Sequence, residues 1–259
     1  MLSKPLSLAQ RVALWDGALS VIRAYLREEG LLEVSTRTRV EAPAIEPHIE
    51  PLTAAGRYLA TSPEIEMKQL LAAGSGSIFQ IAHVFRGGEV GPRHREEFHL
   101  VEWYRVGEGA FAAIEGDVEV IVERVRESVA HVGGESTGAP SAGEWARWDF
   151  ADLWRETVGR ELPTGMDAIE RELVAVSGGE GRPLSWPDEG VDPALRELDA
   201  WTSLFSWWSD RHLDPWLAAN PGGLHLHRFP AALAALAQVD GPHAHRFESY
   251  AGGVELANG

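Results

Sequence analysis

The chain has 259 residues and a formal net charge of −16, so its surface as a whole will not attract polyanions such as nucleic acids. It contains no cysteine, which excludes disulfides, thiolate metal ligands and a cysteine nucleophile. Hydrophobic residues make up 44% of it, enough for the core of one large domain or of a domain with an insertion. The absence of a secretory leader or a long apolar run predicts a cytoplasmic protein.

The first predicted element is a helix from about Leu8 to Glu29, ended by Gly30. Apolar residues recur along it at steps of three and four, at Val12, Trp15, Leu19, Ile22 and Leu26. This spacing predicts one buried stripe along the whole helix. The segment from Glu33 to Val40 then predicts a strand.

A second helix is predicted to begin at Ser62-Pro63-Glu64. Serine is a favoured N-cap, proline is favoured at the first helical position, and a carboxylate in the first turn matches the helix dipole. Helices commonly begin in this way. The pattern alone therefore leaves Glu64 open as either a surface acid or a site residue.

The stretch from Phe79 to Arg105 is the most informative part of the sequence. It alternates from Gln80 to Arg86, is interrupted by glycines, and alternates again from Phe98 to Tyr104, which predicts an antiparallel hairpin with a long charged tip. Period-two geometry gives each strand a common face, made of Gln80, Ala82, Val84 and Arg86 on the first and Phe98, Leu100, Glu102 and Tyr104 on the second. If these faces coincide, an arginine, two acceptors and an aromatic ring converge.

These residue types suit a nucleotide and an ammonium group. Arg86 can hold a phosphate with its planar guanidinium, and Arg93 and His94 in the loop can reach the phosphate tail. Phe98 offers a flat surface to a base, and the two acceptors of the second strand can receive an ammonium group. The pattern alone fits equally well a half-buried hairpin whose charges are only solvated.

Beyond the hairpin, a helix is predicted with an apolar stripe of Phe111, Ile114, Val118, Ile121 and Val125. Its acidic residues, Glu115, Asp117, Glu119 and Glu123, are predicted to form a solvated outer side and not a site. Residues 131–223 are interpreted as a linker followed by a tryptophan-rich helical insertion. Within it, the helical spacing of Trp201, Leu204, Phe205 and Trp208 favours a core or interface stripe over a stacking platform.

The histidines at positions 225, 227, 243 and 245 raise a metal hypothesis, because the two members of a His-x-His pair in a strand point to the same side. No cysteine is present, and no carboxylate partner is evident from the pattern. We therefore favour a structural role for these histidines.

Four blocks of sequence resemble the class II aminoacyl-tRNA synthetases of the lysyl type. Phe85-Arg86, His94, Glu97-Phe98 and Glu102-Trp103-Tyr104 are similar to motif 2 of that family. Leu59 to Glu64 with Met67 to Gly74 resembles its substrate-binding turn and helix, and Arg27 to Thr36 resembles its dimer-forming motif 1. Arg246 to Glu248 and Gly253 to Gly259 resemble the strand that carries metal and amino-acid contacts. The resemblance covers residues 8 to 130 and 224 to 259, and is closest to the branch that ligates beta-lysine to elongation factor P.

The resemblance implies an α+β fold, the class II catalytic domain with an antiparallel sheet flanked by helices, over residues 1–259 and without an anticodon-binding domain. The family continues beyond the position of Gly259 into motif 3, so we expect the motif 3 portion to lie outside this sequence. Arg37 stands where the family usually has a proline. The glutamate that contacts adenine is shifted by one position, to Glu89.

The resemblance also implies activation of lysine or beta-lysine with ATP and Mg²⁺ to an aminoacyl-adenylate, and transfer to a lysine side chain of elongation factor P by a homodimer. The implied catalytic residue is Arg86. The implied ATP contacts are Arg86, Glu89, Arg93, His94, Phe98 and Glu255, the last also as a metal ligand. The implied amino-acid contacts are Ser62, Glu64, Glu102, Tyr104, Asn258 and Gly259.

Two alternatives stay open. One is a catalytically inactive paralogue that acts as a binding or regulatory dimer, and the other is a lysyl-tRNA synthetase fragment that charges tRNA. The net charge of −16 favours a protein acceptor over tRNA. The sequence does not distinguish lysine from beta-lysine.

Overall fold

The computed structural model describes residues 6–42, 49–88, 90–91, 94–131, 144–176 and 192–259. They fall into a first compact unit, Ser7–Ile114, and a second, Glu115–Gly259. Both units contain helices together with sheets that include antiparallel pairs, so the fold is α+β, as predicted. Within these ranges, no helix combines the length and apolar character needed to cross a membrane.

The first unit contains α1 (Leu8–Glu28), β1 (Leu32–Glu33), β2 (Arg39–Val40), β3 (Thr53–Ala54), β4 (Arg57–Leu59), α2 (Glu64–Ala72), β5 (Ile78–Phe85), β6 (Glu97–Tyr104) and the start of α3 (Ala110–His131). Strand β5 pairs parallel with β1 and antiparallel with β6. Strand β4 lies between β2 and β3 in a small antiparallel sheet. Helix α3 continues into the second unit.

Helix α1 confirms the predicted helix but not its buried stripe. The Ser7 hydroxyl accepts from the Gln10 backbone N–H while the Gln10 side chain accepts from the Ser7 N–H, which forms a capping box. Leu26 is fully buried, whereas Val12 is 60% and Trp15 52% exposed. Periodicity predicts which residues share a side of a helix. It does not predict how far along the helix that side is covered. In the described part of the unit, the buried residues of α1 lie in its last turns.

The single strand predicted from Glu33 to Val40 is wrong, because this segment forms two short strands. The Val34 N–H still donates to the Phe79 carbonyl at 2.9 Å. The Thr36 N–H instead donates to a side chain, Gln80 Oε1, at 3.1 Å. This exchange ends the pairing with β5, and the chain pairs again at β2, with β4.

The hairpin of β5 and β6 confirms the prediction in its register. The directly opposed pairs include Gln80 with Glu102, Ala82 with Leu100 and Val84 with Phe98. The two predicted faces therefore coincide. Strand β5 ends at Phe85, so Arg86 stands where the strand passes into the loop.

The second unit contains β7 (Ala146–Asp149), α4 (Phe150–Val158), α5 (Met166–Val176), α6 (Pro193–Trp208), a π-helical turn (Ser209–Leu213), α7 (Asp214–Ala219), β8 (Leu224–His227), a 3-10 turn (Ala231–Leu233), β9 (Val239–Asp240), β10 (His243–Ala244), β11 (Phe247–Ala251) and β12 (Val254–Asn258). Four strands form one sheet in the order β12, β11, β8 and β7. Strand β7 runs parallel to β8, and the other neighbours are antiparallel.

An aromatic core fills this unit. Trp201, Leu204 and Trp208 of α6 are buried in it, which confirms the predicted core stripe. Trp208 packs on Phe150 with ring centroids 4.7 Å apart, and its indole N–H donates to the Thr157 hydroxyl at 2.8 Å. Residues 132–143 and 177–191 lie outside the described ranges, and the assignment of 131–223 as linker and insertion stays a prediction.

The acidic residues of α3 are not solvated as predicted. Asp117 is 1% and Glu115 is 7% exposed. Arg147 of β7 places Nε 3.0 Å from Glu115 Oε2 and Nη2 3.1 Å from Glu119 Oε1. Helical spacing identified these acids as one side of a helix, but it does not reveal what covers that side. Here the sheet covers it and supplies the opposite charge.

His225 extends this network into the sheet. Its Nε2 lies 3.1 Å from Glu119 Oε1, its Nδ1 lies 2.8 Å from Ser249 Oγ, and its ring stacks on Trp145 at 4.8 Å. When Nε2–H donates to Glu119, Nδ1 accepts from the Ser249 hydroxyl. No cluster of three or more acidic or histidine side chains suited to a metal ion occurs in the part of the chain that the structure describes.

We expect His225 to make the stability of the second unit pH-dependent. Burial lowers the pKa of His225, and the neighbouring carboxylates only partly oppose this. The unfolded chain therefore binds the proton more readily, so stability is complete above about pH 6.5 and falls as the pH drops through the pKa of the folded state. His227, whose pKa is also lowered by burial, adds to the same trend.

His225→Phe tests this expectation because it keeps a ring beside Trp145 and removes one proton site. Urea unfolding followed by tryptophan fluorescence should show a smaller loss of stability from about pH 7 to pH 5 in the variant than in the wild type. An identical pH dependence in both proteins would contradict the assignment. At neutral pH the variant should be less stable by about 1 kcal/mol, because Glu119 and Ser249 lose a partner.

Candidate active site

Arg86 directly follows the last residue of β5, and its side chain is anchored there. Its backbone N–H donates to the Glu96 carbonyl at 2.9 Å. Its Nε donates to the Thr61 carbonyl at 3.2 Å, and its Cζ lies 5.3 Å from the centroid of the Phe98 ring. An arginine anchored through Nε presents its two Nη groups as a fork that fits a phosphate or a carboxylate.

The loop after Arg86 depends on two glycines. A Cβ on Gly87 would lie 3.1 Å from the Leu52 side chain and 3.2 Å from the Glu50 carbonyl, to which the Gly87 N–H donates at 2.7 Å. Gly88 has a φ of +75°, in the left-handed region that favours glycine. Its N–H donates to the Glu96 carboxylate at 3.0 Å, so Glu96 fixes the start of the loop.

The structure tests the other loop residues only in part. Glu89 and Arg93 lie outside the described residues. His94 is described and exposed, and its carbonyl accepts from the Gly91 N–H at 3.2 Å. All three stay predicted ATP contacts.

Glu102 lies at the centre of a hydrogen-bond cluster that joins β6 to the start of α2. The Tyr104 hydroxyl donates to Oε1 at 2.6 Å, and the Ser62 hydroxyl donates to Oε2 at 2.9 Å. Burial raises the pKa of the Glu102 carboxyl, and the two hydroxyls partly oppose that rise. Burial also raises the pKa of Tyr104, which therefore stays a hydrogen-bond donor. The structure thus brings three of the predicted amino-acid contacts together.

Glu64 adds a second carboxylate to this cluster. Its backbone N–H donates to the Ser62 hydroxyl at 3.0 Å, although Pro63 and not Ser62 occupies the N-cap position of α2. Its carboxylate lies 2.6 Å from Lys68 Nζ, one helical turn further on. The charge of Glu64 also contributes to the raised pKa of Glu102. The carboxylates of Glu64 and Glu102 and the ammonium group of Lys68 therefore influence one another electrostatically.

The second unit holds Asn258 beside a buried ion pair. Glu248 is 2% exposed, and it accepts from Arg246 Nη2 at 2.5 Å and from the Tyr250 hydroxyl. Burial raises the pKa of Glu248, and the charge of Arg246 opposes the rise. Arg246 Nε also donates to Asn258 Oδ1 at 3.2 Å. The NH₂ group of Asn258 lies 3.5 Å from Glu248 Oε1, and its second hydrogen can donate to a substrate carboxylate.

Gly259 and Glu255 complete the predicted residues of this unit. Gly259 exchanges two backbone hydrogen bonds with Phe247, at 2.8 and 2.9 Å. A Cβ on Gly259 would lie 2.5 Å from the fully buried Phe247 ring, so a larger residue does not fit. Glu255 is exposed on β12. Mg²⁺ is commonly bound by one or two carboxylates together with the phosphates of a substrate. The chemistry of Glu255 therefore fits a magnesium ligand.

Comparison with known proteins identifies the family of the chain. The family model for class II tRNA synthetases (D, K and N) matches residues 7–259. The chain belongs to the class II tRNA synthetases. Its α+β fold is the one expected of the family.

Three relatives of this class II synthetase chain have related names. A protein of Aquifex aeolicus named elongation factor P–(R)-beta-lysine ligase homolog is 30% identical over 253 residues, covering 95% of this chain and 75% of the relative. The elongation factor P–(R)-beta-lysine ligase of Pasteurella multocida is 33% identical over 254 residues, covering 93% and 69%. That of Erwinia tasmaniensis is 32% identical over 257 residues, covering 93% and 70%.

The residues that sequence reasoning did not assign in this class II synthetase chain are the supports of the site. The Thr61 carbonyl anchors Arg86, and a backbone carbonyl gives no signal in a sequence. Arg246 holds Asn258, which depends on a pairing across two strands. The ion pair of Lys68 with Glu64 was recognisable from sequence, because the two residues lie four positions apart on a predicted helix.

Proposed function

We propose that the chain activates lysine or beta-lysine with ATP and transfers it to a lysine side chain of elongation factor P. The observation that carries this proposal is the Glu102 cluster, a partly buried carboxylate held by the hydroxyls of Ser62 and Tyr104 with Glu64 close by. The same hairpin presents Arg86 and Phe98. The names of the three relatives support elongation factor P as the acceptor.

The cluster suits a substrate with two ammonium groups. The hydroxyls of Ser62 and Tyr104 orient Glu102 without neutralising it, so its carboxylate can pair with the side-chain ammonium. Glu64 takes the amino group next to the reacting carboxylate. An ammonium group beside Glu102 favours the ionised carboxyl and offsets the effect of burial on its pKa.

In the first step, the substrate carboxylate attacks the α-phosphorus of ATP. A carboxylate oxygen–phosphorus bond forms as the bond to pyrophosphate breaks, which gives the aminoacyl-adenylate. The fork of Arg86 binds both the attacking carboxylate and the α-phosphate, so it aligns the reactants and stabilises the developing charge. Phe98 offers its ring face to adenine.

In the second step, the uncharged amine of a lysine on elongation factor P attacks the carbonyl carbon of the adenylate. An amide bond forms, AMP leaves, and the amine releases a proton. Asn258 would donate its NH₂ to the substrate carboxylate end, and Gly259 would leave room beside Phe247. Glu89, Arg93 and His94 would supply further ATP contacts. Mg²⁺ neutralises phosphate charge when bound, and Glu255 would be one of its ligands.

Exchange of labelled pyrophosphate into ATP tests the proposed activation directly. We expect exchange that requires Mg²⁺ and either lysine or (R)-beta-lysine, and a comparison of the two at equal concentration identifies the substrate. Elongation factor P incubated with the chain, ATP and that amino acid should gain the mass of one residue. No exchange with either amino acid by any folded form of the protein, including one that carries the motif 3 portion expected from the family, would refute the proposal. Labelling of tRNA in place of elongation factor P would change the acceptor.

We also propose that the chain forms a homodimer. The first turns of α1 expose Leu8, Val12 and Trp15 by 70%, 60% and 52%. Neighbouring exposed apolar side chains of this size are typical of interaction surfaces. Sedimentation velocity at micromolar concentration should show a dimer, and a single monomeric species would contradict this.

A further inference from the structure

Lys68 lies among the proposed ammonium-binding carboxylates and has no part in the reaction described above. Its Nζ is 2.6 Å from Glu64 Oε1. The side chains of Lys68 and Glu64 are 37% and 24% exposed, so solutes reach the pair. The charge of Lys68 also opposes, as the smallest of several causes, the rise in the pKa of Glu102.

The identity of this residue is informative because the chain uses lysine rarely. Of the 23 basic residues, only Lys4 and Lys68 are lysines, and the others are arginines. Arginine would present a planar guanidinium to Glu64, whereas lysine presents a compact primary ammonium. Lys68 therefore places at Glu64 the same chemical group that lysine or beta-lysine would bring.

We propose that Lys68 is an internal counter-ion that occupies Glu64 until the amino group of the substrate replaces it. This inference rests on the proposed function, because it takes Glu64 as an ammonium site. In the free chain, Lys68 neutralises Glu64. When a substrate binds, its ammonium group takes the place of Nζ, and the flexible four-carbon side chain of Lys68 moves aside.

The exchange has a consequence for affinity. Every cation that binds at Glu64 must displace Lys68, so Lys68 lowers the affinity of the cluster for ammonium groups. The ligand 1,5-diaminopentane has both ammonium groups of lysine and no carboxylate, so its binding reports this effect without a contribution from contacts to a carboxylate.

A purely structural pair would behave differently. Ion pairs four residues apart stabilise a helix slightly. If Lys68 and Glu64 did only this, and no ligand ammonium bound at Glu64, removing Lys68 would leave the affinity for an external diamine unchanged. The two roles therefore differ in cation binding and not in folding. Thermal unfolding of Lys68→Met establishes that the variant folds.

Isothermal titration calorimetry with 1,5-diaminopentane separates the two roles. Loss of a partly exposed ion pair typically changes a dissociation constant by about fivefold. We therefore expect Lys68→Met to bind the diamine about fivefold more tightly than the wild type. Arg57→Met is the matched control. It removes the same charge from the same unit and breaks another exposed ion pair, with Glu41 at 2.8 Å, and it should not tighten binding.

Unchanged, weaker or undetectable binding of the diamine by Lys68→Met would overturn the counter-ion role. Equal tightening in Lys68→Met and Arg57→Met would assign the effect to net charge and would overturn it as well. Failure of the proposed function is distinguishable from these outcomes. It would appear as the absence of lysine-dependent pyrophosphate exchange in the wild type, whatever the diamine affinities are.

Discussion

Replacing Arg86 by alanine is expected to lower lysine-dependent pyrophosphate exchange by about a thousandfold. Removal of one preorganised donor at a developing charge typically costs about 10² to 10³ in rate, and Arg86 supplies two Nη donors and a full charge. The variant should fold, because Arg86 lies beyond the end of β5. Its contact with Phe98, at 5.3 Å, contributes only about 0.5–1 kcal/mol.

Two further variants make this result interpretable. Arg86→Lys keeps the charge but not the planar fork, so it should restore only a small part of the exchange. Arg57→Ala removes an exposed arginine of β4 that is paired with Glu41, and it should exchange like the wild type. Exchange by Arg86→Ala within about threefold of the wild type would contradict the assigned role.

Replacing Arg246 by methionine is expected to destabilise the second unit by about 3–5 kcal/mol, because breaking a buried ion pair leaves an uncompensated charge. That charge is on Glu248, which is 2% exposed and accepts from Arg246 Nη2 at 2.5 Å. Arg246 also donates to the Leu233 carbonyl at 2.8 Å and covers the Phe229 ring at 4.6 Å. Urea unfolding followed by tryptophan fluorescence measures the change, since Trp201 and Trp208 lie in the core of this unit.

The deficit of Arg246→Met should shrink on acidification. Burial already raises the pKa of Glu248, and the charge of Arg246 opposes the rise, so its loss raises that pKa further. The folded state then holds the proton more tightly than the unfolded chain, and stability is lost as the pH rises through the pKa of the folded state.

A double variant provides the control for this effect. Arg246→Met combined with Glu248→Met removes both charges, and it should recover most of the lost stability at neutral pH. The explanation fails if the deficit of Arg246→Met relative to the wild type is the same at pH 5 and pH 8, or if the double variant is no more stable than the single one.

The hairpin was predictable from sequence because its information is local. The alternation of β5 and β6 fixes which residues share a face, and the interruption by glycines fixes where Arg86 leaves the strand. Because the two faces coincide, the register of the hairpin also determines the positions of Glu102 and Phe98. The start of α2 was predictable within one residue for the same reason, since cap preferences act over a few neighbouring positions.

The errors came from contacts between distant segments. The side of α3 that carries Glu115 was predicted to be solvated, and its partner Arg147 lies 32 residues away in the chain. The exposed first turns of α1 and the interruption after β1 have the same origin. In the latter, Thr36 bonds to Gln80, which is 44 residues further on. Periodicity describes one element at a time, so it gives no information about which side a second element covers.

The hydroxyl groups that hold Glu102 also bear on the accuracy of the proposed reaction. Norleucine has the shape of lysine without its terminal ammonium. To accept it, the cluster would have to retain a partly buried carboxylate that only neutral donors satisfy, or else take up a proton. Sites built for a polar group reject analogues that lack it by about 10⁴ to 10⁵. Discrimination of this size is achieved when the amino acid is first bound, and it makes a second, proofreading step against apolar amino acids unnecessary.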